Sequence, residues 1–213
     1  MDCKATVKIG DFSRGGKTRG DNRAADHDFG WKEKYIPCGI LDEDHDRLSI
    51  SFGNSYKTSD FIVDTLENWW VGLNLQEQRD IGQIHLKVDN GPESSGVRTQ
   101  FLHRMVDFSK AIGIPVQLLY YPPYHSKYNP IERCWGVLET HWNGTKLTDS
   151  ETMLRWAGSM TWKGLNPVVK ITKKVYEKGI TLSKAAMRSV EKYLKRDSFL
   201  PKYDILIDPQ MGC

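Results

Sequence analysis

The segment from His85 to Tyr120 restricts the fold of this chain more than any other. His85-Leu86-Lys87-Val88 reads as a short strand, which Asp89-Asn90-Gly91-Pro92 ends sharply. Val97, Phe101, Met105, Phe108 and Ile112 then recur at helical spacing, and Gly113 supplies the stop. Pro115 to Tyr120 is a second apolar strand. Strand, helix and strand in that order make parallel neighbours, so an α/β fold is expected.

The flanking sequence adds strands before this unit and helices after it. Residues 2 to 9 alternate, with Asp2, Lys4, Thr6 and Lys8 on one side and Cys3, Ala5, Val7 and Ile9 on the other, which predicts one half-buried strand. The chain opens abruptly at that strand, and an upstream portion is expected to be missing. Residues 10 to 34 form a long polar insertion, expected to be flexible and functional. Its Arg14, Lys17, Arg19 and Arg23 can hold phosphates, whereas Asp26, His27 and Asp28 read as a solvated charged loop rather than as metal ligands. Strands around Cys38 to Leu41 and Arg47 to Phe52 flank the acidic turn Asp42-Glu43-Asp44-His45-Asp46, whose spacing is not that of a calcium loop. Thr58 or Ser59 caps a helix with Ile62, Leu66, Trp69 and Trp70 on one face, the tryptophans in the core. A further helix begins at Pro130 and carries Cys134, Trp135, Leu138 and Trp142. Beyond Asp149 come a helix to about Met160, an extended basic stretch near Val168 to Tyr176, a helix from Leu182 to Arg196, and a strand from Asp204 to Ile207.

Charge and cysteine usage narrow the function. The net charge of the 213 residues is only +3, but Lys163 to Lys202 holds eleven Lys and Arg against Glu177, Glu191 and Asp197. The C-terminal part therefore suits a polyanionic partner, or is simply a solvated basic face. Cys3, Cys38, Cys134 and Cys213 show no C-x-x-C pairing, which points to neither a zinc site nor a disulfide framework and fits a reducing cytoplasm. No apolar run approaches the roughly 20 residues of a membrane span. Asn143-Gly144-Thr145 reads as a turn, and the glycines near Lys17 do not make a nucleotide-binding loop.

Two acidic residues stand where chemistry is expected. Asp89 ends one strand, and Glu132 opens the helix that follows its parallel neighbour, so the chain returns both to the same sheet edge, where sites gather. Each has a structural alternative. Asp89-Asn90-Gly91 is a turn sequence in its own right, and Asn129-Pro130-Ile131-Glu132 fits a capping box. Together, with an acid on the first strand and an aromatic, basic loop at Tyr120 to Tyr128, they favour hard-metal chemistry. Two Mg²⁺ ions roughly 3.5–4 Å apart can activate one oxygen and stabilise the leaving oxygen of a phosphodiester.

Asp2-Cys3-Lys4-Ala5-Thr6-Val7-Lys8-Ile9-Gly10, Ser13-Arg14-Gly15-Gly16-Lys17, Val88-Asp89-Asn90-Gly91-Pro92-Glu93 and Pro122-Pro123-Tyr124-His125-Ser126-Lys127-Tyr128-Asn129-Pro130-Ile131-Glu132-Arg133-Cys134-Trp135-Gly136 together resemble a bacterial DDE transposase of the ISAzo-like insertion-sequence family. The resemblance extends to Leu200-Pro201-Lys202-Tyr203-Asp204. It implies a ribonuclease-H-like mixed sheet whose first three strands form a meander, flanked by helices. It implies a core over 1–148 and a basic, helical C-terminal extension over 149–213 packed on it. Asp2, Asp89 and Glu132 would be the catalytic acids, holding two Mg²⁺ ions or Mn²⁺ in their place. The implied reaction is cleavage at a transposon end, freeing a 3′ hydroxyl that attacks target DNA. Arg14, Lys17, Arg19, His125, Lys127 and Arg133 are expected to contact double-stranded DNA, on which the chain would assemble as a homodimer or larger, in the bacterial cytoplasm at the nucleoid. No helix-turn-helix region precedes Asp2, so the chain is expected to be either an excised catalytic core or a truncated reading frame; the alternative functions are a non-catalytic DNA-binding remnant and a ribonuclease-H-like nuclease without strand transfer.

Overall fold

The computed structural model describes residues 1–12, 14, 33–122 and 128–212. In chain order the strands are β1 Asp2–Cys3, β2 Val7–Ile9, β3 Glu33–Asp42, β4 Arg47–Gly53, β5 Ile84–Val88, β6 Val116–Tyr120, β7 Val168–Thr172, β8 Leu194–Arg196 and β9 Asp204–Ile207. The helices are α1 Ser59–Val71, α2 Leu75–Asp80, α3 Thr99–Ile112, α4 Pro130–Trp142, α5 Ser150–Ser159 and α6 Lys184–Glu191. Mixed sheets flanked by six helices among the described residues make this an α/β fold consistent with the ribonuclease-H-like architecture. The chain divides into two compact units: unit 1 takes Met1, Lys57–Asn129 and Tyr176–Cys213, and unit 2 takes Asp2–Tyr56 and Pro130–Val175. Residues beyond 149 are thus shared between both units, with β7 paired to β4 and β9 to β6. No helix among the described residues is long and apolar enough to cross a membrane.

Unit 2 is built on a five-stranded sheet in which β1, β3 and β4 form the expected antiparallel meander and β7 joins β4 in parallel. The single strand expected over residues 2 to 9 is two. Cys3 pairs with Cys38 and Val7 with Tyr35, so three residues, 4 to 6, stand opposite two, 36 and 37, which is a bulge. Pro37 is the physical cause. Its carbonyl accepts from the Lys4 amide at 2.9 Å, but it has no N–H to return. At the other end of β3 the Asp42 carboxylate accepts from the amides of Asp44 and His45 and from Arg47, closing the hairpin. Burial opposes ionisation of Asp42, yet Arg47 and His45 outweigh it and hold the group below the usual carboxylate range. Ile131, Cys134, Trp135, Leu138 and Trp142 line the buried side of α4 and pack with Val7, Ile9, Ile50 and Phe52 of the sheet and Met153 and Ala157 of α5. Trp142 is fully buried, and truncation of such a residue costs about 3–5 kcal/mol.

Unit 1 contains the strand, helix and strand read from sequence. β5 and β6 are parallel from Ile84 opposite Val116 to Val88 opposite Tyr120, with β9 antiparallel to β6 and β8 to β9. Thr58 caps α1, its hydroxyl accepting from the Phe61 amide, and Gly113 ends α3 at φ 71°. α1 packs on α3 and α3 on α6. Three expectations need correction. Trp69 and Trp70 are only half-buried, because Phe61, Ile62, Val63 and Leu66 already fill the inner face of α1. The helix expected over Leu182 to Arg196 stops at Glu191, since Leu194 to Arg196 pair with β9 and the sheet overrides the local helical pattern. α2, which the sequence reading omits, is a six-residue helix held by a capping box between Asn74 and Glu77.

Candidate functional site

Asp89 lies in unit 1, one residue beyond β5, and its side chain is exposed. The loop after it is braced from several directions. Ser94 donates its hydroxyl to the Asp89 carbonyl at 3.0 Å and its amide to the Gly91 carbonyl at 3.2 Å. Tyr120, at the end of β6, donates to the Ser94 carbonyl at 2.7 Å, and Ser59 donates to the Glu93 carbonyl at 2.7 Å. Arg196 donates to the Gly96 carbonyl at 2.8 Å, and a Cβ at Gly96 would collide with the Lys202 carbonyl. The Asn-Gly turn seen in the sequence is therefore one corner of a fixed loop. The parallel partner of the Asp89 strand sets that loop's position.

Asp2 and Glu132 lie in unit 2. Asp2 is half-buried on β1, where its Cα partner is Gly39 of β3. Glu132 is in the first turn of α4, which begins at Pro130 as the sequence predicts, and is exposed. The Trp135 indole, three residues beyond Glu132 on α4, donates from Nε1 to Asp2 Oδ2 at 3.1 Å. β1 and the helix carrying Glu132 are thus joined by a hydrogen bond to one of the predicted acids. The sequence reading places Trp135 on this helix but does not reveal this bond. The signal available was an indole, whose buried N–H requires an acceptor. Cys134, next to it, is buried, and burial pushes its thiol up to about 12, which disfavours the thiolate.

The model of a family described as the Rhodopirellula transposase DDE domain matches residues 1–209. The chain belongs to that family. No curated protein and no solved structure matches it.

In this transposase domain the predicted DNA contacts are distributed unevenly. Arg133 is exposed on α4. Arg14 is not on an open surface. Its Nη2 donates to the Lys8 carbonyl at 2.8 Å, its guanidinium stacks 5.1 Å from the Trp142 ring centroid, and burial lowers its pKa despite Glu139 nearby. Arg14 therefore anchors the start of the insertion to α4. Lys17, Arg19, Arg23, Asp26, His27, Asp28, His125 and Lys127 lie outside the described residues. Cys3 and Cys38, distant in sequence, are cross-strand partners, and neither is in a disulfide.

DDE transposases typically use divalent metals, and the donor chemistry here fits them. Asp2, Asp89 and Glu132 offer the hard carboxylate oxygens that Mg²⁺ prefers. Among the described residues no Lys, Arg or His is ion-paired with Asp2 or Asp89. Also among the described residues, no group of three or more His, Cys, Asp or Glu is assembled to hold a metal ion.

Proposed function

We propose that this transposase domain cleaves DNA at insertion-sequence ends and joins the freed 3′ hydroxyl to target DNA, with Asp2, Asp89 and Glu132 as its metal-binding carboxylates. The observation that carries the reading is the family match over residues 1–209, because it spans all three acids. Two Mg²⁺ ions, or Mn²⁺, would supply Lewis acidity to the attacking and leaving oxygens of the phosphodiester. The braced loop behind Asp89 and the bond from Trp135 to Asp2 support the same reading, since each limits where a carboxylate can stand. The exposed basic residues of α6 and Arg133 would bind the DNA backbone, on which the domain would assemble as a dimer or larger in the bacterial cytoplasm.

The test uses Asp89→Asn and Glu132→Gln with a labelled insertion-sequence end. Both variants are expected to lose Mg²⁺-dependent nicking and joining by a factor of at least about 10³ while still binding DNA. Nicking at the wild-type rate by either purified variant would refute the assignment. Cutting without joining of the labelled end to a second duplex would favour a plain nuclease. Salt-sensitive binding with no cutting by the unmodified chain would favour a DNA-binding remnant.

A further inference from the structure

Trp135 makes two contacts within unit 2 that bear on the same carboxylate. Its ring lies against the backbone of Gly39, where a Cβ would stand 2.6 Å from Cη2 and 2.8 Å from Cζ2. Any side chain at position 39 would push the ring away. Gly39 is also the Cα partner of Asp2, and the indole Nε1 reaches Asp2 Oδ2 at 3.1 Å. The ring is only 4% exposed, so water does not compete freely for that N–H. Ile131, one turn earlier on α4, meets Gly39 as well, 2.8 Å from the same position. Gly39 thus works as a socket into which α4 settles, and the socket decides where the indole N–H points.

The donor's chemistry matters as much as its position. A lysine or arginine at this distance would neutralise Asp2 and compete with a cation. A neutral indole fixes one oxygen and leaves the charge in place. An ionised carboxylate has about four lone-pair sites, so acceptor capacity remains on both oxygens.

We infer that Trp135 is a positioning residue for metal binding: seated on Gly39, it holds the Asp2 carboxylate in one orientation and ties it to the helix that carries Glu132. The inference rests on the reading of Asp2 as a metal-binding carboxylate. Outer partners of this kind govern metal affinity by roughly 10–100-fold through orientation alone.

The experiment measures Mn²⁺ binding to the full chain by calorimetry for the wild type, Trp135→Phe, Asp2→Asn, Asp89→Asn and the Trp135→Phe/Asp2→Asn double variant. Phenylalanine keeps an aromatic ring and removes the N–H. Trp135→Phe is expected to keep the wild-type stoichiometry with affinity reduced about tenfold. The double variant should bind no more weakly than Asp2→Asn alone, because both changes act through one group. Wild-type affinity in Trp135→Phe, alongside loss of binding in Asp2→Asn, would overturn this inference and leave the carboxylate assignment standing. Wild-type binding in both Asp2→Asn and Asp89→Asn would overturn the assignment itself. If Trp135→Phe does not fold, the indole Hε1 resonance of Trp135 in the unsubstituted chain decides. It is expected to move on addition of Mg²⁺ and in Asp2→Asn, and a resonance unmoved by both refutes the role.

Discussion

The phenol of Tyr120 donates to the main-chain oxygen of Ser94 across 2.7 Å, and both residues are buried. Tyr120 ends β6, and Ser94 in turn donates to the carbonyl of Asp89. Burial pushes the Tyr120 phenol well above its ordinary pKa, so it remains a donor throughout the working pH range. Tyr120→Phe would leave the Ser94 carbonyl buried without this donor. A loss of about 1–2 kcal/mol is expected, concentrated in the loop after Asp89. Hydrogen exchange should show faster exchange over residues 89–98 with little change in β5 and β6. A uniform acceleration across unit 1 would contradict the local bracing described above.

Arg104 of α3 ties its helix to α1 by gripping three acids of α1. Its guanidinium lies 2.7 Å from both Asp60 Oδ1 and Asp64 Oδ1 and 3.0 Å from Glu67 Oε1. Tyr176 donates to the remaining oxygen of Asp64 at 2.9 Å. Arg104→Met would leave clustered, partly buried carboxylates facing one another. The expected loss is about 2–3 kcal/mol, between that of an exposed pair and that of a fully buried one. Adding Asp64→Asn to that variant should recover part of the loss, because it removes the repulsion. Urea unfolding of the two single variants and the double variant measures both effects.

The parts of this fold that the sequence makes legible are those governed by local periodicity. The apolar spacing from Phe101 to Ile112 with Gly113 behind it, and Asn129-Pro130 at the start of α4, fix their helices without help from distant residues. Pairing between distant segments is where the reading falls short. The bulge at residues 4 to 6 depends on Pro37, the end of α6 depends on Leu194 meeting Ile207, and the bond to Asp2 depends on an indole 133 residues away. Of the candidate site, the positions of the acids relative to strand and helix ends were visible. Arg14 was not, because a cation in a glycine-rich stretch reads as a solvated phosphate ligand until Trp142 is seen beneath it.

Glu139 on α4 is expected to make the stability of unit 2 depend on pH on the acid side. Lys4 Nζ lies 2.7 Å from its Oε1, and the Trp142 indole donates to its Oε2 at 2.8 Å. Burial works against ionisation, but these two contacts outweigh it and hold the carboxyl below its ordinary 4.5. A depressed folded pKa means stability that is present above the unfolded value and is lost as pH falls through the folded one. Glu139→Gln should therefore lower the urea midpoint near neutrality and flatten its decline below about pH 4.5. Midpoints collected between about pH 3 and 7 test the sign. A variant that declines as steeply as the wild type would show that other carboxylates set the acid limit.

Lys184, Arg188 and Lys192 on and just after α6, and Lys195 on β8, keep their side chains exposed, while Val190 is the buried residue of the helix. A surface that buries so little of itself and carries this much charge is suited to DNA phosphates rather than to core packing. Each phosphate contact released should reduce the slope of log K against log salt by about 0.9. Replacing all four with Gln should then flatten the slope by up to roughly 3 to 4 and weaken binding to unrelated sequences equally. Asp89→Asn should leave the slope where it was, because that carboxylate holds no phosphate without a metal. An unchanged slope in the four-residue variant would move the DNA backbone off this face. Arg133, and Lys17 and Lys127 as expected from the sequence, would then be the residues to probe next by the same measurement.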